Sequence, residues 1–334
     1  MRDIVAVGPQ RLSTISADAR KGLRRRSHSL DEHTMQKMLL TRRGRFGCNL
    51  YGDPSMPPLV LVMGLGMNSA SWPEPFLTRL VRKGLYVIAL DNRDSGMSML
   101  GTEAVTKTRM FASIAKYIAG GSVQADYRLE DMAGDIELIL DELGVERAHI
   151  AGISMGGMIA QVFACRAPHR TVSLTSISSA TGNVLTGVGN PVAIRTALQP
   201  APESKDRVLW RKYLRSVMSA IGTKGEVYDD AALDKIIDVE FEYEVPAQAK
   251  MRQLMAILAS GDRRAQLRQL SVPTLVIHGT ADPLLPFRAG KETAECIEGA
   301  RFMPIEGMGH DLAAAHQLEM ADSIAAHCYG TTVR

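Results

Sequence analysis

The chain has few cysteines, few aromatic residues and no large excess of charge of either sign. Its 334 residues include four cysteines, and no two of them form a CxxC pair. Such scattered cysteines predict reduced thiols, not a disulfide framework or a zinc site. Lysine and arginine number 39 against 36 acidic residues, a net charge of +3. This balance argues against nucleic-acid binding as the main function.

Long hydrophobic runs are also missing. The longest, residues 59–67, is strand-sized and interrupted by glycines, whereas a membrane-spanning helix needs about 20 apolar residues. Residues 1–44 are polar with a basic run at residues 20–26, but no apolar stretch follows as a secretory signal requires. A transit peptide is one interpretation, and a flexible N-terminal extension is the simpler one. We expect no membrane span and a cytoplasmic location.

Short, continuously apolar runs recur along the rest of the chain. Strands that are apolar throughout are buried on both faces, as in a parallel sheet covered by helices. Between them, spacings of three and four predict amphipathic helices, for example over residues 74–83 and 129–143. This alternation predicts an α/β fold with a mostly parallel central sheet flanked by helices. The predicted strands are residues 58–63, 84–90, 148–152, 172–177, 274–279 and 300–305.

One stretch, residues 181–270, interrupts this alternation. It contains helical patterns over residues 207–221, 230–238 and 246–258 but no convincing buried strand, and it is too long for a simple loop. We interpret it as a helical cap or lid over the carboxyl edge of the sheet, where ligands bind in open α/β folds. The expected order is an extension (1–44), a core (45–180), the cap (181–270) and a second core segment (271–334).

The sequence Gly-Ile-Ser-Met-Gly at residues 152–156 is the main chemical motif. It lies between a predicted strand and a helical run over residues 157–167. A serine on such a sharp strand-to-helix turn points away from the sheet, and the glycines allow strand and helix to approach closely. The alternative is a tight turn with only a packing role. In this context we expect Ser154 to be a nucleophile.

A serine nucleophile needs a base and a carboxylate that orients the base. His310 follows the last predicted strand and Asp282 follows the fifth, so both belong at the same edge as Ser154. Among the other histidines, His278 is the one rival because it ends a strand. Asp282 could instead only begin a turn before Pro283. The chain order of nucleophile, acid and base favours a Ser154–Asp282–His310 triad.

Acyl transfer also needs hydrogen-bond donors for the oxyanion. The backbone N–H of Met155, directly after the nucleophile, is one candidate. The second is expected from the glycine-rich loop after the first predicted strand, from Leu65 or alternatively Gly64. We expect Trp72 and Phe287 to line the substrate pocket together with the cap.

The charged segment at residues 91–98 resembles a metal site only superficially. It contains no histidine, and no ligand set elsewhere completes one. We interpret it as a scaffold in which Arg93 pairs with a carboxylate. Residues 64–66 lack the third glycine of a dinucleotide fingerprint. The sequence therefore predicts neither a metal nor a bound cofactor.

With these motifs the chain resembles the α/β-hydrolase superfamily from about residue 45 to residue 329. The resemblance is closest to the aclacinomycin methylesterase branch, which, like this chain with Met63-Gly64, lacks His-Gly before the oxyanion loop. It implies a core domain, a helical cap between the sixth and seventh strands, and no cofactor. The matching segments are residues 61–64 with Trp72, 91–96, 152–157, 278–283 and 307–310.

The sequence thus predicts a carboxylic-ester hydrolase that acts through an acyl-enzyme on small-molecule substrates, either bulky apolar esters or esters of short to medium chain length. The same machinery serves a thioesterase, a cofactor-free perhydrolase or haloperoxidase, or a C–C hydrolase, and these alternatives stay open. So does a ligand-binding receptor built on a hydrolase fold. Self-association into a homodimer is a further expectation that the sequence does not decide.

Overall fold

The centre of the molecule is an eight-stranded sheet. The computed structural model describes residues 34–101, 104–243 and 246–330. All the strands predicted from continuous apolar runs are present, with small shifts at their ends. The strands are β1 (Thr34–Thr41), β2 (Gly44–Tyr51), β3 (Pro58–Val62), β4 (Tyr86–Leu90), β5 (Ala148–Ile153), β6 (Thr171–Ile177), β7 (Thr274–Gly279) and β8 (Arg301–Ile305).

The strand order is β1-β2-β4-β3-β5-β6-β7-β8. From β4 to β8 neighbouring strands are parallel, and β1 and β2 add an antiparallel edge. The predicted mostly parallel α/β sheet is therefore confirmed. From the central strand β3 the chain goes to β4 on one side and later to β5 on the other. The loops after β3 and β5 consequently run in opposite directions from the carboxyl edge, which leaves a crevice between them. Open α/β sheets bind ligands in such a crevice.

Helices cover both faces of this sheet. One apolar cluster joins the sheet to α1 and α12, and the cluster on the opposite face joins it to α3, α4 and α11. The helices of the core are α1 (Glu74–Arg82), α2 (Lys107–Ile118), α3 (Leu129–Glu142), α4 (Met155–Arg166), α11 (Phe287–Cys296) and α12 (Ala314–Gly330). Those between β6 and β7 are α5 (Val184–Gly187), α6 (Pro191–Ala197), α7 (Arg207–Ile221), α8 (Asp230–Tyr243), α9 (Ala247–Ser260) and α10 (Arg264–Leu267).

The antiparallel edge corrects the predicted N-terminal boundary. Residues 34–44 belong to β1 and its turn, so the sheet begins well before residue 45, and only residues 1–33 of the predicted extension lie outside the described part of the chain. Most β1 side chains are exposed, including apolar ones such as Met35 and Leu40, so the strand lacks the regular apolar alternation by which a half-buried strand is recognised. The strand is held by its backbone ladder with β2, from Thr34 opposite Tyr51 to Thr41 opposite Gly44.

The helical insertion, residues 181–270, contains α5 to α10, and no strand occurs among its described residues. The patterns predicted over residues 207–221, 230–238 and 246–258 correspond to α7, α8 and α9. Across the described ranges, no helix is both long and apolar enough to cross a bilayer. None of the four cysteines, all of which are described, forms a disulfide.

Candidate active site

Ser154 occupies a strained turn between β5 and α4. Its φ and ψ are 57° and −121°, which is rare for a residue with a side chain. The turn needs glycines because its backbone segments nearly touch. A Cβ at Gly152 would lie 2.1 Å from the Gly156 carbonyl oxygen, and one at Gly156 would lie 2.0 Å from the Val62 carbonyl oxygen. This packing points the Ser154 hydroxyl out of the carboxyl edge of the sheet.

The structure brings His310 and Asp282 to this serine. The distance from His310 Nε2 to Ser154 Oγ is 2.9 Å, and that from His310 Nδ1 to Asp282 Oδ2 is 2.7 Å. The carboxylate makes the Nδ1–H tautomer favourable, so Nε2 is left to accept the hydroxyl proton. All three side chains come from loops at the carboxyl edge, as the sequence places them.

The carboxylate of Asp282 is fixed by its own turn. Its Oδ1 accepts the backbone N–H groups of Leu284 and Leu285, both at 2.9 Å. The alternative interpretation from the sequence was that Asp282 only begins a turn before Pro283. These hydrogen bonds show that Asp282 does stabilise that turn. The two functions use different oxygens, since Oδ2 contacts His310. Asp282 can accordingly hold the imidazole without losing its place in the loop.

The rival histidine, His278, lies behind the site. It is fully buried, its Nε2 donates to the Leu285 carbonyl at 2.8 Å, and it is 3.6 Å from Asp282 Oδ2. Burial lowers the pKa of its imidazole, so it stays neutral. His278 thus supports the turn of Asp282 and makes no contact with the serine hydroxyl, as the sequence reading favoured.

The loop after β3 passes close to Ser154. A Cβ at Gly64 would lie 3.2 Å from Ser154 Cβ, a tight contact, so a side chain there would press on Ser154. The loop is braced from two sides: Asn92 Nδ2 donates to the Met63 carbonyl at 2.8 Å, and Gly66 N–H donates to Gln253 Oε1 at 2.8 Å.

These bonds leave Leu65 and Gly64 as the candidates for the second oxyanion donor. The N–H of Met155, at the first position of α4, has no acceptor within its own helix. The partial positive charge of a helix N-terminus adds to this environment.

Asn92 and Gln253, which brace the loop after β3, were not identified from the sequence. Gln253 lies 187 positions from its partner Gly66, and no local pattern predicts such a pairing.

A wide cleft opens above the triad, between the core and the helical insertion. Its volume is roughly 3220 Å³, larger than the usual range for small-molecule sites. Ser154, His310 and Trp72 all line it. Trp72 also stacks on Phe76, with ring centroids 5.3 Å apart.

Phe287, the other predicted pocket residue, does not line this cleft. It packs against the ring of His278 and, at 5.4 Å between centroids, against Phe302. As the first residue of α11 it lies behind the Asp282 turn, not in front of it. The expectation of a pocket wall at Phe287 is therefore wrong. Proximity in sequence to Asp282 did not specify on which side of the turn the ring would lie.

The insertion places two ionisable groups along the cleft. Burial lowers the pKa of Lys250 to about 8 and raises that of Glu240 to about 7. The Lys250 ammonium donates to the Ala197 carbonyl at 2.5 Å and lies 3.4 Å from Tyr213 Oη. This polar group was not identified from the sequence. Lys250 and Glu240 therefore add partly buried polar groups to a cleft that is mainly apolar.

The charged segment at residues 91–98 is a scaffold, as predicted. Arg93 makes a two-point ion pair with Asp135, with both N–O distances at 2.6 Å. Asp94 accepts from Arg252 of α9 at 2.6 Å and from the hydroxyl of Tyr127 at 2.8 Å. Within the described ranges, no three His, Cys, Asp or Glu side chains are grouped so as to hold a metal ion.

Sheet order, strained serine turn and helical insertion together define an α/β-hydrolase fold. The chain belongs to the α/β hydrolase fold family, whose model matches residues 57–314. It is therefore an enzyme of the hydrolase class. The methylesterase resemblance inferred from the motifs is also found in the comparisons with known proteins.

Two curated relatives are rhodomycin D methylesterases. That of Streptomyces peucetius is 28% identical over 307 residues, covering 84% of this chain and 94% of the relative. That of Streptomyces sp. strain C5 is 29% identical, with the same coverage. Among solved structures, an esterase of Rhodococcus sp. ECU1013 superposes with a TM-score of 0.65 at 21% identity, covering 89% of this chain and 99% of that one. This last similarity concerns the fold alone.

Proposed function

We propose that the chain is a carboxylic-ester hydrolase that uses Ser154, His310 and Asp282 as its catalytic triad. The observation that carries this proposal is the continuous hydrogen-bonded path from Ser154 Oγ through the His310 ring to Asp282, with distances of 2.9 and 2.7 Å. The two rhodomycin D methylesterases support the choice of an ester as substrate.

In this mechanism His310 Nε2 takes the hydroxyl proton as Ser154 Oγ attacks the ester carbonyl. Asp282 stabilises the imidazolium that forms. The developing oxyanion is held by the N–H of Met155 and that of Leu65 or Gly64. Protonated His310 then gives its proton to the leaving alcohol, which leaves an acyl-enzyme. A water activated by His310 attacks the acyl carbon and releases the acid, restoring the serine.

The cleft supports a substrate with a substantial apolar portion. Trp72 and three methionines, Met67, Met218 and Met251, line it. Flexible methionine side chains adapt to irregular apolar groups. We therefore propose bulky or medium-chain apolar esters. We further propose that the helical insertion acts as the cap domain of this enzyme.

The direct test is the hydrolysis of p-nitrophenyl esters of increasing acyl length by the wild type and by Ser154→Ala. We expect turnover by the wild type and a loss on the order of 10⁴- to 10⁶-fold in kcat in the variant. Equal turnover in both proteins would overturn the assignment of Ser154. Activity confined to charged, strongly polar esters would overturn the substrate class while leaving the triad in place.

A further inference from the structure

The loop that carries His310 is held by the helical insertion. The backbone N–H of His310 donates to the carbonyl of Ile221, the last residue of α7, at 2.7 Å. The preceding residue, Gly309, donates its N–H to Thr223 Oγ1 at 2.9 Å. The base therefore depends on a segment almost 90 residues earlier in the chain for its backbone hydrogen bonds.

The residue after the base, Asp311, completes the connection. Its Oδ2 accepts the backbone N–H of Thr223 at 2.9 Å, and its Oδ1 accepts the Thr223 hydroxyl at 2.6 Å. That hydroxyl thus accepts from Gly309 and donates to Asp311. Tyr228 donates a third hydrogen bond to the same carboxylate. Burial and this bond raise the pKa of the Tyr228 phenol, so it remains a donor.

The two backbones approach too closely for side chains at the contact. A Cβ at Gly309 would lie 2.3 Å from the carbonyl carbon of Gly222. On the other side of His310, the N–H of Ala314 at the start of α12 donates to Glu226 Oε1 at 3.0 Å. The segment at residues 221–228 therefore contacts the base loop before, at and after His310.

We propose that Thr223, acting through Gly309 and Asp311, is a positioning residue for the general base. This inference rests on the proposed function, since it assigns His310 as the base. In it the insertion is a structural support of the catalytic site as well as its cover. A displacement of α7 and α8 away from the core would break the hydrogen bonds of the base loop.

The first test compares Thr223→Val with Thr223→Ser. Valine has nearly the same shape but lacks the hydroxyl, so the Gly309 N–H and Asp311 Oδ1 lose a partner, whereas serine keeps both bonds. Since misplacement of a catalytic group by about 1 Å costs on the order of 100-fold in rate, we expect Thr223→Val to lower kcat by roughly 10- to 100-fold with KM within about twofold. Thr223→Ser is expected to stay within about threefold of the wild type.

The matched control is Arg215→Gln, which removes an exposed ion pair with Asp230 elsewhere in the insertion. We expect it to leave kcat unchanged, because neither side chain is among the hydrogen-bond partners of the base loop. An equal loss of kcat in Arg215→Gln and Thr223→Val would mean that the insertion is merely destabilised. Unchanged kcat in Thr223→Val, or a rise in KM alone, would overturn the positioning role.

A second readout does not depend on the substrate. A fluorophosphonate reacts with a base-activated serine, so its rate of reaction with Ser154 reports on His310 directly. We expect this rate to fall in Thr223→Val by about the same factor as kcat and to recover in Thr223→Ser. Labelling of Ser154 at the wild-type rate in Thr223→Val would overturn this inference and leave the proposed function intact. Absence of Ser154 labelling in the wild type would overturn both.

A variant at Asp311 covers the case in which Thr223→Val fails to fold. Asp311→Asn preserves size but replaces one carboxylate oxygen with an NH2 group, which cannot accept a hydrogen bond, so either the bond from the Thr223 hydroxyl or those from Thr223 N–H and Tyr228 are lost. We expect the same pattern, a loss in kcat and in fluorophosphonate rate at nearly constant KM. A wild-type fluorophosphonate rate in folded Asp311→Asn would contradict the inference as clearly as it would in Thr223→Val.

Discussion

The parallel sheet and the helical insertion are stabilised in different ways. In the sheet, strands that are apolar throughout are covered by helices. Gly152 and Gly156, in the turn of Ser154, bring backbone atoms into direct contact. The insertion instead surrounds an open cleft and keeps large apolar side chains in solvent, such as Val192 at 70% and Val227 at 85% exposure. Burial of apolar surface determines the core, whereas in the insertion it forms smaller clusters, one between α7 and α8 and one that joins α9 to α2.

Polar contacts connect the insertion to the core. Arg252 binds Asp94, Gln253 binds the loop after β3, and Thr223 binds the loop of His310. Such contacts are directional, so they place an element more specifically than apolar contact alone. The core carries the side chains of the proposed triad, while the insertion braces the two loops that surround them.

The largest expected effect comes from the tightest contact in the core. In Gly156→Ala the new methyl group would meet the Val62 carbonyl oxygen at 2.0 Å, and we expect a loss of about 4 kcal/mol or more in the free energy of unfolding. The partner experiment is Gly225→Ala in the insertion, where nothing lies within 4 Å but φ is +84°. There the backbone conformation alone costs about 1–2 kcal/mol. Similar losses of unfolding free energy in the two variants, measured by urea unfolding, would contradict the difference in packing between the core and the insertion.

Next in size is the ion pair that joins insertion to core. Arg252→Gln leaves the fully buried Asp94 carboxylate without its cation, which costs about 3–5 kcal/mol for a buried pair. By contrast, Arg207→Gln removes exposed ion pairs with Asp238 and Asp234, and because solvent screens such pairs we expect a much smaller loss. Urea titrations of both variants measure the difference. A loss at Arg252 no larger than that at Arg207 would show that polar contacts do not hold the insertion.

The core also predicts a pH dependence of stability. Burial lowers the pKa of His149, on β5, from 6.5 to about 4. The unfolded chain therefore binds a proton that the folded chain does not, and stability falls as the pH drops from about 6.5 towards 4.

For this histidine alone, the loss between pH 7 and pH 5 is about 2 kcal/mol. His149→Gln should reduce the difference between unfolding free energies at these two pH values. The control Ser173→Ala, which removes the 2.8 Å hydrogen bond to His149 but keeps the imidazole, should lower stability while retaining most of that difference. An unchanged pH dependence in His149→Gln would contradict the assignment.

The smallest expected effect concerns the cleft. Trp72→Leu replaces a large ring in the wall of the cleft with a smaller side chain. We expect the kcat/KM for long apolar esters, divided by that for the acetate ester, to fall by about tenfold, equivalent to about 1.4 kcal/mol of binding free energy. Phe287→Leu, behind the Asp282 turn, should leave the acyl-length profile unchanged. Profiles measured with p-nitrophenyl esters separate the two. A shift in Phe287→Leu as large as that in Trp72→Leu would place both side chains at the substrate.

The sequence predicted the parts of the molecule in which one local rule dominates. Continuous apolar runs located β3 to β8, and the glycine spacing around Ser154 located the strained turn. The loops of Asp282 and His310 followed because parallel strands end at one edge. The Arg93 scaffold was also predicted, since a buried arginine needs a carboxylate.

The remaining features depend on contacts between distant parts of the chain. β1 lacks a regular apolar alternation because it lies at the sheet edge and most of its side chains are exposed. Gln253 and Thr223 act through partners far away in sequence, and neither belongs to a recognisable motif. Phe287 was misplaced because proximity to Asp282 in sequence does not determine which face of a turn a side chain occupies.

The most direct test of the central claim is mass spectrometry of the protein during turnover of a p-nitrophenyl ester. If Ser154 is the nucleophile, the chain quenched in acid carries one acyl group, and the modified peptide is the one that contains residues 152–156. The adduct should be absent from Ser154→Ala. Ester hydrolysis with the acyl group on another residue, or an adduct that persists in Ser154→Ala, would contradict the proposed mechanism.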